Sequence, residues 1–472
     1  GGEMTGGKNV LVIVLDALRE DSVVPSFEEP DRCFKAANCI ASAPWTLPSC
    51  TSLITGMDAT RHGHFWHSHA LGASDLVRAL PAEFRKVAFV NNSVLKRNSQ
   101  LDSGFDHWRY LTGHTEPFER AATLIRKARR RKPLFLLLHS NISHDYYYPK
   151  ASEYYDEAFP DEPGGAFVLG DEVIRWTGTT PAQRAAVVKT YEASAIKAVS
   201  SAREVLELAR ARDDFISVVV SDHGEGLEYD EARIHHGGRL HDDLLRVPLC
   251  FDLPSAVPEG QREDLAAALA SAPVAVTDVL PTAFALAGMG PVPAVDGRRI
   301  GSAPAERIVV SEERRYLYLR DRFRLNVKGR HRFMSLEDQQ ENQRLLEQLA
   351  AEPLLRSYRS KSAKLMVTGL HFRPRAGSAA EARGDVVGWG ERLLGAPVLV
   401  LHGDRLFAFE LFNLTDDPSE RLNLLAADGS GMDRLMESGR EMSVTVPVSD
   451  EGEDTEVSLP TMLAGAQRIA TN

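Results

Sequence analysis

The tripeptide Asp222-His223-Gly224 follows the apolar run FISVVV, and Asp16 follows the apolar run NVLVIVL. Two carboxylates and an imidazole placed this way offer hard and borderline ligands to a divalent cation. Thr46, in APWTLPSCTSLITG (43–56), adds a hydroxyl that completes an O,O,O,N set if it ionises. Such a set suits Mn²⁺, Zn²⁺, Mg²⁺ or Ca²⁺ and does not choose among them. A threonine hydroxyl is a weak nucleophile near neutral pH, and a bound cation stabilises its alkoxide. The competing reading of Thr46 is structural: a helix N-cap ahead of Pro48, in a helix that closes at Gly56.

Histidines supply the remaining chemistry. His144, in HSNISHDYYYP, lies beyond an apolar run and is read as contacting substrate oxygens or protonating a leaving group. His139 ends that run and is read as a polar strand terminus. His235-His236 sit in ARIHHGGRLHDDLLRVP, and His62 is one of four histidines in TRHGHFWHSH, a polar loop or metal patch at the mouth of a site. Asn92, just past the short apolar segment Val87–Val90, joins the substrate-binding candidates.

The elements that must position these groups are buried strands. NVLVIVL (9–15), LFLLLHS (134–140) and FISVVV (215–220) are continuous apolar, largely β-branched or leucine-rich runs, as in strands covered on both faces of a parallel sheet. Helical periodicity runs through 117–131 and 181–212 and recurs near 262–271 and 277–287. Alternating strands and helices predict an α/β fold, a doubly wound, mostly parallel sheet flanked by helices. Ligands of such sheets bind beyond the carboxyl ends of the strands, where Asp16, His139 with His144, and Asp222-His223 would converge. Residues 330–365 read as charged and helical, PVLVLH (397–402) and 406–411 as a hairpin, and the acidic run 450–454 as a solvated loop.

Composition narrows the class. The chain has 472 residues, 43% hydrophobic and 26% charged, with a net charge of −11. That balance predicts a folded globular protein with no general nucleic-acid surface. No apolar run is long enough to span a bilayer, and no leader is recognisable, so the cytoplasm is the expected compartment. The four cysteines, Cys33, Cys39, Cys50 and Cys250, show no metal-type spacing and predict no disulfide framework.

Together these segments resemble the sulfatase branch of the alkaline phosphatase superfamily. The similarity lies in NVLVIVLDALRED, APWTLPSCTSLITGMDATRHG, FLLLHSNISHDYYYP, VVVSDHGEG, HHGGRLHDDLLRVPL, VTDVLPTAFALAGM and ELFNLTDDPSERLNL, in family order from residue 9 to about 424. The resemblance implies a catalytic α/β domain over 8–314. A smaller C-terminal α+β subdomain would follow over 315–428, carrying an atypical helical or loop insertion near 329–400, then an extension over 429–472. It implies that Asp16, Asp222 and His223 bind one divalent ion together with Thr46, the nucleophile position; a second ion is left open, with His139, His144 and His236 the residues that could serve it. It also implies that His144 and His236 contact the transferred or leaving group.

Two departures bear on the reaction. The CxPxR-type segment, whose Cys or Ser becomes formylglycine in sulfatases, reads Thr46-Leu47-Pro48-Ser49-Cys50, and threonine cannot yield that aldehyde. Ala17 replaces the second residue of the usual Asp-Asp pair, and Cys50 replaces the usual arginine. Threonine resembles the phosphodiesterase and phosphoglycerol-transferase branches. The expected activity is therefore metal-dependent hydrolysis or transfer of a small-molecule phosphate mono- or diester through phosphothreonine. The alternatives are a sulfuric ester hydrolase without formylglycine and a binding protein that kept the fold and lost catalysis.

Overall fold

The run NVLVIVL forms strand β1 (Asn9–Leu15), buried at every position and central in a seven-stranded sheet. The other strands are β2 (Cys33–Lys35), β3 (Arg85–Val90), β4 (His107–Tyr110), β5 (Leu134–Ser140), β6 (Phe215–Val220) and β7 (Leu249–Asp252), in the order β2-β7-β6-β1-β5-β3-β4. β1 pairs in parallel with both β5 and β6, and β3 in parallel with β5 and β4. Only β7, between β6 and the edge strand β2, runs against the others, pairing antiparallel with both. The computed structural model describes residues 9–22, 32–65, 71, 75–96, 99–128, 132–168, 180–228, 233–289, 293–302, 307–314, 354–371, 398–402, 405–426, 430–450 and 453–469.

Register then does the positioning. Val14 stands opposite both His139 and Val220, and Val90 opposite His139, so four adjacent parallel strands end at one level. The residues that follow them, Asp16, Asn92, Asn141 to His144 and Asp222-His223, emerge on the same edge. Helices cover the faces: α1 (Thr46–Thr55), α2 (Glu116–Lys127), α3 (Pro181–Arg212), α4 (Glu259–Ser271) and α5 (Val279–Leu286). Tyr191, Val199 and Leu206 of α3 and Phe118 and Ile125 of α2 share a core with Leu11, Ile13 and Leu136 of the sheet. Phe284 of α5 packs edge-on against Phe135, 5.2 Å between ring centres. Each such fully buried side chain contributes roughly 1.5–3 kcal/mol. α3 starts where a capping box, Thr180 with Gln183, satisfies its first N–H groups, and it stops at Asp213 in a left-handed conformation.

The chain divides into two compact units, residues 1–237 with 241–307, and residues 238–240 with 308–472. The second unit holds a six-stranded sheet built from β8 (Val309–Arg314), β9 (Leu354–Arg359), β10 (Ala363–His371), β11 (Leu399–His402), β12 (Arg405–Asn413) and, after the β13–β14 hairpin (Thr445–Asp450, Glu453–Ser458), β15 (Gln467–Ile469). Lys364 and Glu420 form a buried ion pair in this unit at 2.7 Å.

The structure corrects several expectations. Residues 354–359 and 363–371 are paired strands, not helix, because cross-strand partners on β8 and β12 bury them. The remaining residues of the 330–365 segment, and most of the 329–400 insertion, lie outside the described residues. The hairpin expected at 397–402 and 406–411 is found as β11 paired with β12, while Pro397 and Gly403-Asp404 lie outside the described residues. Asp450, Glu453 and Asp454 of the acidic run belong to the β13–β14 hairpin instead of a loop. Cys33 and Cys250 form a disulfide across 217 residues, contrary to the absence expected from spacing. Pairing of β2 with β7, which sets Cys250 opposite Lys35, brings the two together. Among the described residues no helix is long and apolar enough to cross a membrane.

Candidate functional site

Asp16 leaves β1 fully buried, and its neighbours tie it to the next strand. Ser143 Oγ donates to the Asp16 carbonyl at 2.6 Å, and the Ala17 N–H donates to Asp222 Oδ1 at 3.3 Å. Ala17 adopts a left-handed conformation (φ 57°), which costs an L-residue about 1–2 kcal/mol. Tyr191 of α3 holds this turn, donating to the Ala17 carbonyl and accepting from the Arg19 N–H, both at 2.9 Å. Asp222 is fixed in turn by its carbonyl, which accepts from Ser49 Oγ at 2.6 Å.

Thr46 is the first residue of α1, and extended Trp45 precedes it at the N-cap position. This corrects the cap reading. The Thr46 hydroxyl donates to Asp16 Oδ2 at 3.3 Å and also lies 3.3 Å from His223 Nε2. Asn92 donates through Nδ2 to Asp16 Oδ2 at 2.7 Å and to Thr46 Oγ1 at 3.3 Å, while its own carbonyl caps the short turn that follows through the Val94 N–H. Four sequence-separated residues, Asp16, Thr46, Asn92 and His223, thus meet at one hydroxyl, with Asp222 beside them.

This set fits a divalent ion. Asp16 Oδ1 is buried without a hydrogen-bond partner. His223 Nε2 lies 3.2 Å from that atom and 3.9 Å from Asp222 Oδ2. Ligands about 2.0–2.2 Å from a tetrahedral ion stand about 3.3–3.6 Å apart, close to these spacings. His223 Nδ1 pairs with the Gly224 carbonyl at 2.7 Å, which orients Nε2 toward the carboxylates. Burial opposes a charge on His223, yet Asp222 and Asp16 raise its pKa to about 9, so the position favours a positive charge. Burial likewise opposes the Asp16 carboxylate, but His144, His223 and His139 hold it well below the usual range.

Two further histidines complete a row of rings. His236 lies 4.6 Å from His223 and 4.9 Å from His144 between ring centres. His236 Nδ1 is 3.0 Å from Glu225 Oε2, and burial with the neighbouring His235 holds its pKa well below the ordinary value. His144 Nδ1 is 2.8 Å from Asp145 Oδ1. Although burial works the other way, Asp16 and Asp145 raise His144 to about 10. Asp145 is itself anchored by His114 Nε2 at 3.0 Å and by Asn141 Nδ2 at 2.6 Å. One imidazole is thus neutral and one cationic within a single cluster.

His62 is placed differently: Nε2 pairs with Ser52 Oγ, and Nδ1 accepts from the His64 N–H, both at 2.9 Å. His67 and His69 of its cluster lie outside the described residues. His139, read as a strand terminus, has Nε2 3.5 Å from Asp16 Oδ2 and 3.6 Å from Asp222 Oδ2. The sequence places it on this edge, though as a strand terminus first. Glu225 and Asp145 were missed, and the available signal was the adjacency of each carboxylate to a chosen motif.

The sulfatase family model matches residues 8–289, more than half of the chain. No curated protein matches the chain. Among solved structures, a 2-O GAG sulfatase is similar at 15% identity, covering 93% of this chain and 91% of that one, with a TM-score of 0.55. A protein solved with its substrate D-glucosamine-2-N,6-O-disulfate shares 13% identity over 93% and 98%, with a TM-score of 0.57. The phosphonate monoester hydrolase of Agrobacterium radiobacter shares 15% identity over 95% and 99%, with a TM-score of 0.55. The chain therefore belongs to the sulfatase family, ester hydrolases of the alkaline phosphatase-like fold that use a divalent metal ion.

Proposed function

We propose that the protein cleaves phosphate esters, mono- or diesters of a small organic alcohol, with Thr46 as nucleophile. The observation that carries this reading is the Thr46 hydroxyl at the start of α1, bonded at 3.3 Å to Asp16 and within 3.3 Å of His223 and Asn92. A divalent ion held by Asp16, Thr46, Asp222 and His223 would favour the Thr46 alkoxide and polarise a substrate oxygen. The start of α1 presents the positive end of a helix dipole to the anionic group. Thr46 Oγ1 attacks phosphorus, the bond from phosphorus to the departing alcohol oxygen breaks, and phosphothreonine forms. His144, held cationic by Asp16 and Asp145, gives its proton to the leaving oxygen. Glu225 orients His236 through Nδ1, which leaves Nε2 as an acceptor for a proton of the water, or acceptor alcohol, that attacks phosphothreonine. The bond from Thr46 Oγ1 to phosphorus then breaks, phosphate or its new ester leaves, Thr46 returns as the alkoxide, and the proton taken by His236 passes through solvent to recharge His144.

Thr46→Ala, with its fold checked by circular dichroism, is expected to lower turnover of aryl phosphate esters by about a thousandfold or more, in line with loss of a covalent nucleophile. Retained activity would overturn the mechanism. The same aryl group presented as phosphate diester, monoester and sulfate tests the substrate class. Preference for the sulfate would favour the second reading, sulfate ester hydrolysis, which family membership itself supports.

A further inference from the structure

Cys50 lies four residues beyond Thr46 on α1, on the same face of the helix. Its Sγ is 3.6 Å from Asp222 Oδ2. His139 Nε2 is also 3.6 Å from that oxygen, and 3.5 Å from Asp16 Oδ2. A ligand atom from each of Cys50, His139 and Asp222 lies within 4.8 Å of the other two. The three are buried, Cys50 at 3% exposure, His139 at 1% and Asp222 at 0%. Neither ring nitrogen of His139 has a hydrogen-bond partner, an uncommon state for a buried polar group.

We propose that Cys50, His139 and Asp222 form a second cation site with a thiolate ligand, sharing Asp222 with the Asp16–Thr46–Asp222–His223 set. A sulfur, a nitrogen and a carboxylate oxygen match zinc-like ions, whereas Mg²⁺ and Ca²⁺ take oxygen ligands. For zinc, bonds of about 2.3 Å to sulfur and about 2.0–2.2 Å to nitrogen and oxygen put neighbouring ligands roughly 3.3–3.6 Å apart. The observed 3.6 Å spacings agree. Cys50 loses its thiol proton as the ion binds, so one proton leaves for each ion taken up. The site would restore, as an ion, positive charge beside Asp222, where Cys50 stands in place of the family's arginine. It rests on the proposed function only through the shared Asp222.

The test is a Co²⁺ titration of chelator-treated full-length protein, followed by absorption and by metal analysis. Two Co²⁺ per chain and a near-ultraviolet thiolate-to-cobalt charge-transfer band are expected. Cys50→Ser should abolish the band and halve the bound Co²⁺, and His139→Gln should weaken uptake of the second ion at least tenfold. Cys39→Ser should leave the band intact, and Thr46→Ala should keep it. One Co²⁺ without a sulfur band overturns the second site and leaves the first standing. No Co²⁺ at all would sink both sites. Should Cys50→Ser fail to fold, the wild-type band together with the His139→Gln titration still decides.

Discussion

His144 and His236 face one cluster with opposite proton affinities, and the cause lies in their partners. His144 has Asp145 at Nδ1 and Asp16 nearby, whereas His236 is buried beside a second imidazole. Environments that push two titratable groups apart assign an acid and a base. With His144 as the acid, activity on substrates with poor leaving groups should fall as pH rises through the His144 pKa, a limb that Asp145 holds above the ordinary imidazole value where a bound ion offsets Asp16. Removing the Asp145 charge disfavours the imidazolium. Asp145→Asn should therefore move this alkaline limb downward by roughly one unit or more, about 1.4 kcal/mol per unit. A pH–rate profile with an unchanged limb would remove Asp145 from this role. His144 and the place of His139 on this edge were legible because both follow or end a buried run, whereas Asp145 was not. Nothing in the local sequence says that a carboxylate will face its neighbouring imidazole, or how closely a strand-end histidine will approach Asp16 and Asp222.

At the scale of elements, the site depends on how tightly the 222–226 loop docks. Gly224 donates to the Leu244 carbonyl at 2.7 Å. A methyl group on Gly224 would meet the Asp243 carbonyl oxygen at 2.0 Å and Leu244 Cα at 3.2 Å, both backbone atoms. Gly224→Ala should therefore destabilise the protein by about 1–3 kcal/mol and displace Asp222 and His223. Thermal melting and metal analysis should show a lower Tm together with reduced binding of the divalent ion. An unchanged Tm with full metal content would show that the loop has room. Strands β1 and β6 and helix α3 were legible to the residue, since continuous burial and a Pro-initiated capping box leave few alternatives. The strands at 354–359 and 363–371 were not. Their charged and apolar mixture also suits a helix, and partners distant in sequence decided the matter.

At the scale of the whole molecule, the first unit gathers Asp16 and Asp222, two fully buried carboxylates, at one sheet edge. Their mutual repulsion is offset by histidines, and a divalent ion bound only by the folded state adds stability by mass action. At a hundredfold excess over Kd this amounts to about 2.7 kcal/mol. Removing metal should lower Tm by several degrees, and re-adding Mn²⁺ or Zn²⁺ should restore it. A Tm insensitive to chelation would contradict the assignment of this cluster to a divalent ion. The Cys33–Cys250 link belongs to the same scale, because it joins residues that only sheet pairing makes neighbours.

Local sequence determined the buried strands, their alternation with helices, and the residue types waiting at their ends. Those properties follow from hydrophobic periodicity and short-range steric rules, which act over a few residues. Tertiary structure decided the rest: Thr46 turned from a cap toward Asp16 and His223, His139 beside both carboxylates, and Cys50 against Asp222. The contact with His223 joins groups 177 residues apart, and that with Asp222 spans 172. Such juxtapositions arise from parallel register across the sheet and have no counterpart in the local chain.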